Sequence, residues 1–249
     1  WMQFACGECA PCLAGAEMLC AAQRGTGVTV DGGYAEFVKA HAGFVHRIPD
    51  PLDLVDSAPL LCAGITVFAP LRKAGDLAGK TVAVAGIGGL GHLAVRMAFA
   101  MGARVVAILE EEERGDLVRG LGAREIIFSR TEKVGKRLSS MGGADLILLT
   151  AASARLFEQC VSGIGVNGTL VVLATVAESA SIVPASLLQG QKTIRGSVTG
   201  TRDDMDAMLR FVAEHGIAPV VERHPLGRVN DVVSMLRSGK VVFRAVLVP

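Results

Sequence analysis

Four cysteines near the start of the chain, Cys6, Cys9, Cys12 and Cys20, are spaced C-x2-C-x2-C-x7-C. Four thiolates so close in sequence can close a tetrahedron around Zn2+, the short turns aiming successive sulfurs inward. Gly7 and Gly15 help the chain wrap. Two disulfides and an iron–sulfur cluster are the other readings. Disulfides call for an oxidising compartment that nothing in the sequence supports. A ferredoxin-type run places its fourth cysteine three residues on, with proline after it, and that is absent. With four protein ligands the zinc has no open position and is structural rather than catalytic.

The second chemical signal is G-x-G-x-x-G at Gly86, Gly88 and Gly91, within GIGGLGH at 86–92. It follows an apolar strand-like run and opens a helical one, the context this motif needs. The first glycine allows the tight turn, the second lets the backbone reach a pyrophosphate, and the third lets helix pack on strand. Amides at the helix N-terminus, from Gly89, Leu90 and Gly91, then meet the phosphate charge. An acidic residue about 20 positions on would hold the ribose. Glu110 follows the next strand, although the run Glu110–Glu113 also reads as a solvated helix start. Cys62, in an apolar stretch, is by itself a small core residue.

The elements that would position these groups follow from periodicity. Apolar runs at 81–86, 104–109, 125–128, 144–150, 168–174 and 193–198 read as strands. Helical stretches lie between them at 90–101, 111–121, 132–141, 153–162 and 184–190. Short apolar strands alternating with helices predict a buried parallel sheet with right-handed crossovers, an α/β doubly wound Rossmann fold. Before it, Gly33–Lys39 reads as a short β-like stretch, and helices start near Ser57 and after Cys62. After it come a helix at 203–215, a loop with Pro219 and Pro225, a helix at 230–238 and a last strand at 241–248.

Composition excludes other classes. The chain has 249 residues, a mean hydropathy of +0.45 and 20% charged residues, so it collapses rather than staying disordered. Twenty-five Lys and Arg against 24 Asp and Glu leave no basic face for nucleic acid. Thr81–Leu109 is apolar but holds His92, Arg96 and Arg104, which a membrane span would not carry. No signal peptide is read, and the cytoplasm is the expected compartment. There six cysteines mean metal or chemistry sooner than disulfides. Trp1 opens the chain, which therefore reads as processed, cut or a fragment.

Taken together, WMQFACGECAPCLAGAEMLC at 1–20, DGGYAEFV at 31–38, PLLCAGITV at 59–67, GIGGLGH at 86–92 and GSVTGTR at 196–202 resemble the zinc-dependent medium-chain alcohol dehydrogenases, especially the microbial type. The resemblance covers essentially the whole chain. It implies a partial GroES-like catalytic domain made from both chain ends, 1–66 and 204–249, around a dinucleotide domain at 67–203. It implies hydride transfer between a small-molecule alcohol or aldehyde and a nicotinamide, with zinc as Lewis acid. The cysteine quartet matches the structural zinc lobe, and Cys62 one ligand of the catalytic zinc. Thr66 falls near the nicotinamide, Gly86 to Gly91 at the pyrophosphate, and Val198 at the carboxamide. Arg114 falls beside the adenosine ribose, where a solvated helix charge is the other reading, and Arg244 at the pyrophosphate. A homo-oligomer is implied for the full-length parent, with no nucleic acid or membrane partner.

The match also departs from the pattern. The family's other catalytic-zinc ligands and its Ser/Thr–His proton relay precede the zinc lobe, so the chain reads as a C-terminal part, catalytically incomplete. Leu109 stands where NAD-preferring members carry Asp, so NAD is expected and NADP is not excluded. Ala174-Thr175-Val176 replaces a Gly-Leu-Pro-like turn. Loss of the upstream ligands leaves a non-catalytic zinc- and dinucleotide-binding protein as the alternative. A zinc-free quinone reductase is disfavoured by the quartet and Cys62.

Overall fold

The computed structural model describes residues 2–249. The chain divides into two compact units, residues 1–65 with 198–249, and residues 66–197.

The strands in chain order are β1 (Met2–Phe4), β2 (Arg24–Gly25), β3 (Thr81–Ala85), β4 (Arg104–Leu109), β5 (Glu125–Phe128), β6 (Ala144–Leu149), β7 (Ile164–Val172), β8 (Thr193–Gly196), β9 (Val221–Pro225) and β10 (Arg244–Val248). The helices are α1 (Ala10–Leu13), α2 (Leu54–Ser57), α3 (Ala63–Lys73), α4 (Gly91–Ala100), α5 (Gly115–Gly120), α6 (Val134–Ser139), α7 (Ala154–Ser162), α8 (Ala185–Leu188), α9 (Arg202–Glu214) and α10 (Val229–Arg237).

The central unit is a six-stranded sheet in the order β5-β4-β3-β6-β7-β8, every pair parallel. The order reverses between β3 and β6, and in open α/β sheets ligands bind at the carboxyl ends of the strands at that switch point. β3 is buried along its whole length, and Val105 to Leu109 of β4 are buried too. This explains why these strands read as continuous apolar runs rather than alternating ones. Ala83, Val106, Ile127, Ile147 and Leu170 meet in one core with Leu138 and Cys160 from α6 and α7. The apolar stretch Thr81–Leu109 is β3, α4 and β4 in succession, and no single helix among the described residues is long and apolar enough to cross a membrane.

In the other unit β1 pairs antiparallel with β2, and β10 pairs parallel with β9. Three local expectations are corrected here. Gly33–Lys39 forms no strand, and Tyr34, Phe37 and Val38 are exposed. A strand needs a ladder partner, and no described strand pairs with this segment. The segment read as a loop around Pro225 contains β9, with Pro225 at the strand's last position, where a missing donor costs least. The last strand starts at Arg244 rather than Val241, because Phe243 sits at φ 62°, outside extended geometry. In the sheet, β7 begins at Ile164, earlier than its apolar run, with a register shift opposite Ala144–Leu146.

Candidate functional site

The quartet is brought together by local structure alone. Gly7, at φ +79°, turns the chain between Cys6 and Cys9. Cys9 caps α1, which carries Cys12, and a short 3-10 turn, Glu17–Leu19, returns Cys20. The sulfurs of Cys9 and Cys12 lie 3.5 Å apart, those of Cys20 and Cys6 3.6 Å, and those of Cys6 and Cys12 3.9 Å. All four lie within 4.8 Å of one another. Tetrahedral zinc with Zn–S near 2.3 Å requires sulfur separations of about 3.8 Å. The separations fit zinc and are far too long for disulfides. The backbone N–H groups of Cys9 and Cys6 donate to the sulfurs of Cys6 and Cys20, both at 3.4 Å. Hydrogen bonds from the Glu8 and Cys9 backbone pull the Cys6 thiol down to about 6, whereas desolvation pushes Cys12 up to about 12. Such donors stabilise thiolate, the form that binds metal.

In the central unit the glycine loop joins β3 to α4. Gly86 sits at φ +91°, and a Cβ there would come within 2.6 Å of the Ala151 Cβ. A Cβ at Gly91 would lie 2.0 Å from the Gly86 carbonyl oxygen, so helix and turn touch backbone to backbone. Gly88 is different. A Cβ there would meet nothing within 4 Å, so the space over it is open. That combination leaves room for a phosphate at the start of a ten-residue helix, where orphan N–H groups point outward. Buried His92 fixes the loop from below, its Nδ1–H donating to the Gly88 carbonyl at 3.1 Å. The Thr150 hydroxyl lies 2.5 Å from the Gly86 carbonyl oxygen and 3.2 Å from that of Ala85.

Beside the loop is a cavity of about 430 Å3 at the carboxyl ends of β3, β4 and β6. Of the sequence-predicted residues, Gly86, Gly88, Glu110 and Arg114 line it. Gly89, Leu90 and Gly91 continue the loop into α4 without lining it. Leu109 closes its floor at 5% exposure. Sequence reasoning missed Ser129, Arg130, Thr150, Arg155 and Gln159, which also line the cavity. Ser129 and Thr150 carry a positional signal that was available, since each immediately follows the carboxyl end of a strand of the sheet, and Arg130 comes one residue later. Arg155 and Gln159 sit on α7, and nothing in their spacing marks them.

Cys62 is exposed and lies between a 3-10 turn (Ala58–Leu61) and α3. Arg244, half-buried at the start of β10, approaches it. Burial lowers the Arg244 pKa, and the nearby Cys62 charge works against that lowering. Thr66 is buried in α3, and Val198 is exposed. Among the described residues the quartet is the one group of three or more His, Cys, Asp or Glu side chains placed to hold a metal.

Comparison with known proteins agrees with this geometry. The family model described as Zinc-binding dehydrogenase matches residues 89–214, and that described as Alcohol dehydrogenase GroES-like domain matches residues 1–50. An alcohol dehydrogenase of Geobacillus stearothermophilus is 40% identical over 248 residues, which cover 99% of this chain and 73% of the relative. The acetophenone reductase of Geotrichum candidum, solved with NAD, superposes with a TM-score of 0.88 at 26% identity, covering 99% of this chain and 72% of that one. The CAD of Helicobacter pylori, solved with NADP(H), superposes with a TM-score of 0.85 at 25% identity, again covering 99% and 72%. With the zinc-fitting quartet, the parallel sheet and the glycine loop already in place, these matches show that the chain belongs to the zinc-dependent medium-chain alcohol dehydrogenase family.

Proposed function

We propose that the chain carries the structural zinc lobe and the dinucleotide site of an enzyme that moves a hydride between a small-molecule alcohol or aldehyde and a nicotinamide. The observation that carries this reading is the open space over Gly88, between a turn that Gly86 requires and a helix that Gly91 lets in. Gly86 to Gly91 receive the pyrophosphate through backbone N–H groups, and the cavity beside them takes the adenosine. Thr66 and Val198 are assigned to the nicotinamide end, and Arg244 to a phosphate. A bound catalytic zinc supplies Lewis acidity toward the alcohol oxygen, and Cys62 is assigned as one of its ligands. The domain reading that accompanies this assigns 1–66 and 204–249 to the GroES-like domain and 67–203 to the nucleotide domain. Thiols at all six cysteines fit a reducing compartment such as the cytoplasm.

A second reading, binding of zinc and dinucleotide without turnover, is favoured because, among the described residues, the quartet is the one group of three or more His, Cys, Asp or Glu side chains placed to hold a metal. An open catalytic zinc takes three protein ligands. Losing its polarisation costs several kcal/mol in the barrier, so roughly 10³-fold or more in rate. Residues 1–249 by themselves are therefore expected to bind NAD(P)H and to oxidise no alcohol. Two measurements test this. The first is a nicotinamide-fluorescence titration, in which saturable binding supports the reading and its absence refutes it. The second is steady-state NAD(P)H production from primary and secondary alcohols with zinc in excess. Turnover that disappears in Cys62→Ala would show that the catalytic site is complete after all.

A further inference from the structure

We propose that Thr150 is a positioning residue for dinucleotide binding. Its hydroxyl locks the peptide between Gly86 and Ile87, so that the Ile87 N–H is presented to a phosphate. This rests on the dinucleotide reading above and adds to it the group that sets the orientation of the loop.

Thr150 immediately follows β6, the parallel neighbour of β3, and so stands beside the residues that open the glycine loop. Its backbone N–H and that of Ala151 both donate to the Ala85 carbonyl, at 2.9 and 3.2 Å. Two donors fill the two lone pairs of that oxygen. The Thr150 hydroxyl has a single hydrogen to give, and its nearer acceptor is the Gly86 carbonyl, at 2.5 Å against 3.2 Å for Ala85. Among the described residues this hydroxyl is the one donor that reaches the Gly86 carbonyl. The contact joins positions 64 apart in the chain, and no motif marks it.

The lock matters because glycine does not supply one. Gly86, at φ +91°, has no Cβ to restrict its backbone, so the peptide that follows it is free to turn over unless something outside holds it. No peptide bond in the chain is cis, and in a trans peptide the C=O and the N–H point opposite ways. Holding the Gly86 carbonyl toward Thr150 therefore turns the Ile87 N–H to the opposite side. Ile87 is buried and lines the cavity, yet among the described residues its N–H donates to no protein group. Buried backbone N–H groups are almost always paired, so this one is left for an acceptor that the protein does not provide. A phosphate oxygen over the open Gly88 is such an acceptor. With the peptide turned over, a carbonyl oxygen would face the phosphate instead and repel it. The Gly88 carbonyl is drawn inward in the same manner, by the backbone N–H and the Nδ1 of His92, both at 3.1 Å.

The test is a fluorescence titration of the 249-residue chain with NADH, run on the wild type, Thr150→Val and Thr150→Ser. Valine keeps the shape and loses the donor, whereas serine keeps the donor. The dissociation constant is expected to rise about tenfold in Thr150→Val, the order of one hydrogen bond to a charged group, and to stay within about threefold of wild type in Thr150→Ser. A second readout follows the amide itself. In 1H–15N spectra the Ile87 signal should move downfield when ADP is added to the wild type or to Thr150→Ser, and less in Thr150→Val. Adenosine, which carries no phosphate, should leave that signal in place. Unchanged affinity in Thr150→Val, a serine variant as weak as the valine one, or a wild-type Ile87 amide that ADP does not move would overturn the proposal while leaving the dinucleotide site standing. The last of these outcomes needs no variant, so it decides the matter if Thr150→Val fails to fold. A wild-type chain that binds no NADH would refute the dinucleotide reading and this proposal together.

Discussion

Arg202 and Glu17, 185 positions apart, form a forked ion pair. Arg202 Nε lies 3.0 and 2.9 Å from the two Glu17 carboxylate oxygens, and its Nη2 lies 2.5 Å from Oε1. The same guanidinium donates from Nη1 to the Gly43 carbonyl at 3.1 Å and covers the Phe44 ring at 5.1 Å. Glu17 begins the turn that returns Cys20 to the quartet, so Arg202, at the start of α9, anchors the zinc lobe from the far end of the sequence.

Replacing Arg202 should therefore loosen the lobe. Arg202→Lys keeps the charge but loses the fork, and Arg202→Ala loses both. The pair is partly exposed, so after screening the loss is about 1 kcal/mol in urea unfolding, with Lys intermediate. Chelator-driven zinc release should be faster in both variants. Unchanged release would show that the lobe is rigid without this anchor.

Metal content should be close to one zinc per chain. The quartet is complete, and among the described residues it is the one group of three or more His, Cys, Asp or Glu side chains placed to hold a metal. Cys9→Ser should lower zinc content and the melting temperature together, because metal binding here is folding energy. Elemental analysis after dialysis decides it, and a stoichiometry near two would mean that a second ligand set exists.

Two glycines three positions apart, Gly88 and Gly91, should respond in opposite ways. Gly88→Val places its side chain in open space, so stability should stay within about 0.5 kcal/mol while dinucleotide binding is lost. Gly91→Ala drives a methyl into the Gly86 carbonyl and should cost about 2–3 kcal/mol whether or not a ligand is present. Thermal melts alongside coenzyme titrations separate the two. A destabilised Gly88→Val would show that the loop is closed rather than open.

Acid should weaken the unit formed by residues 1–65 and 198–249 in part through Asp53. The Asp56 backbone N–H, and after it the Arg223 guanidinium, hold the Asp53 carboxyl below its ordinary value. Arg223 lies 3.0 Å from Asp53 and 2.7 Å from Asp56. A depressed folded pKa contributes stability above the unfolded value of about 3.9, and that contribution is lost as pH falls through the lower folded value. The melting temperature should fall as pH drops below about 4, and less steeply in Asp53→Asn. Identical pH profiles for the two proteins would remove Asp53 from the account.

Features that depend on near neighbours were legible in the order of the amino acids. Cys6, Cys9, Cys12 and Cys20 span few enough residues for their own turns to gather them, and the β3–loop–α4 segment carries its glycines in one stretch. The sheet was legible because strands buried on both faces are written as unbroken apolar runs. Tertiary structure decided what distant segments bring to one place. Leu109 and Glu110 at the end of β4, Arg130 just past β5 and Arg155 on α7 line one cavity, which the fold alone brings together. Glu17 found Arg202 from opposite ends of the chain. Gly33–Lys39 looked like a strand because its residue types suit one, yet a strand exists only where another lies within hydrogen-bonding distance, and residue type cannot supply that partner.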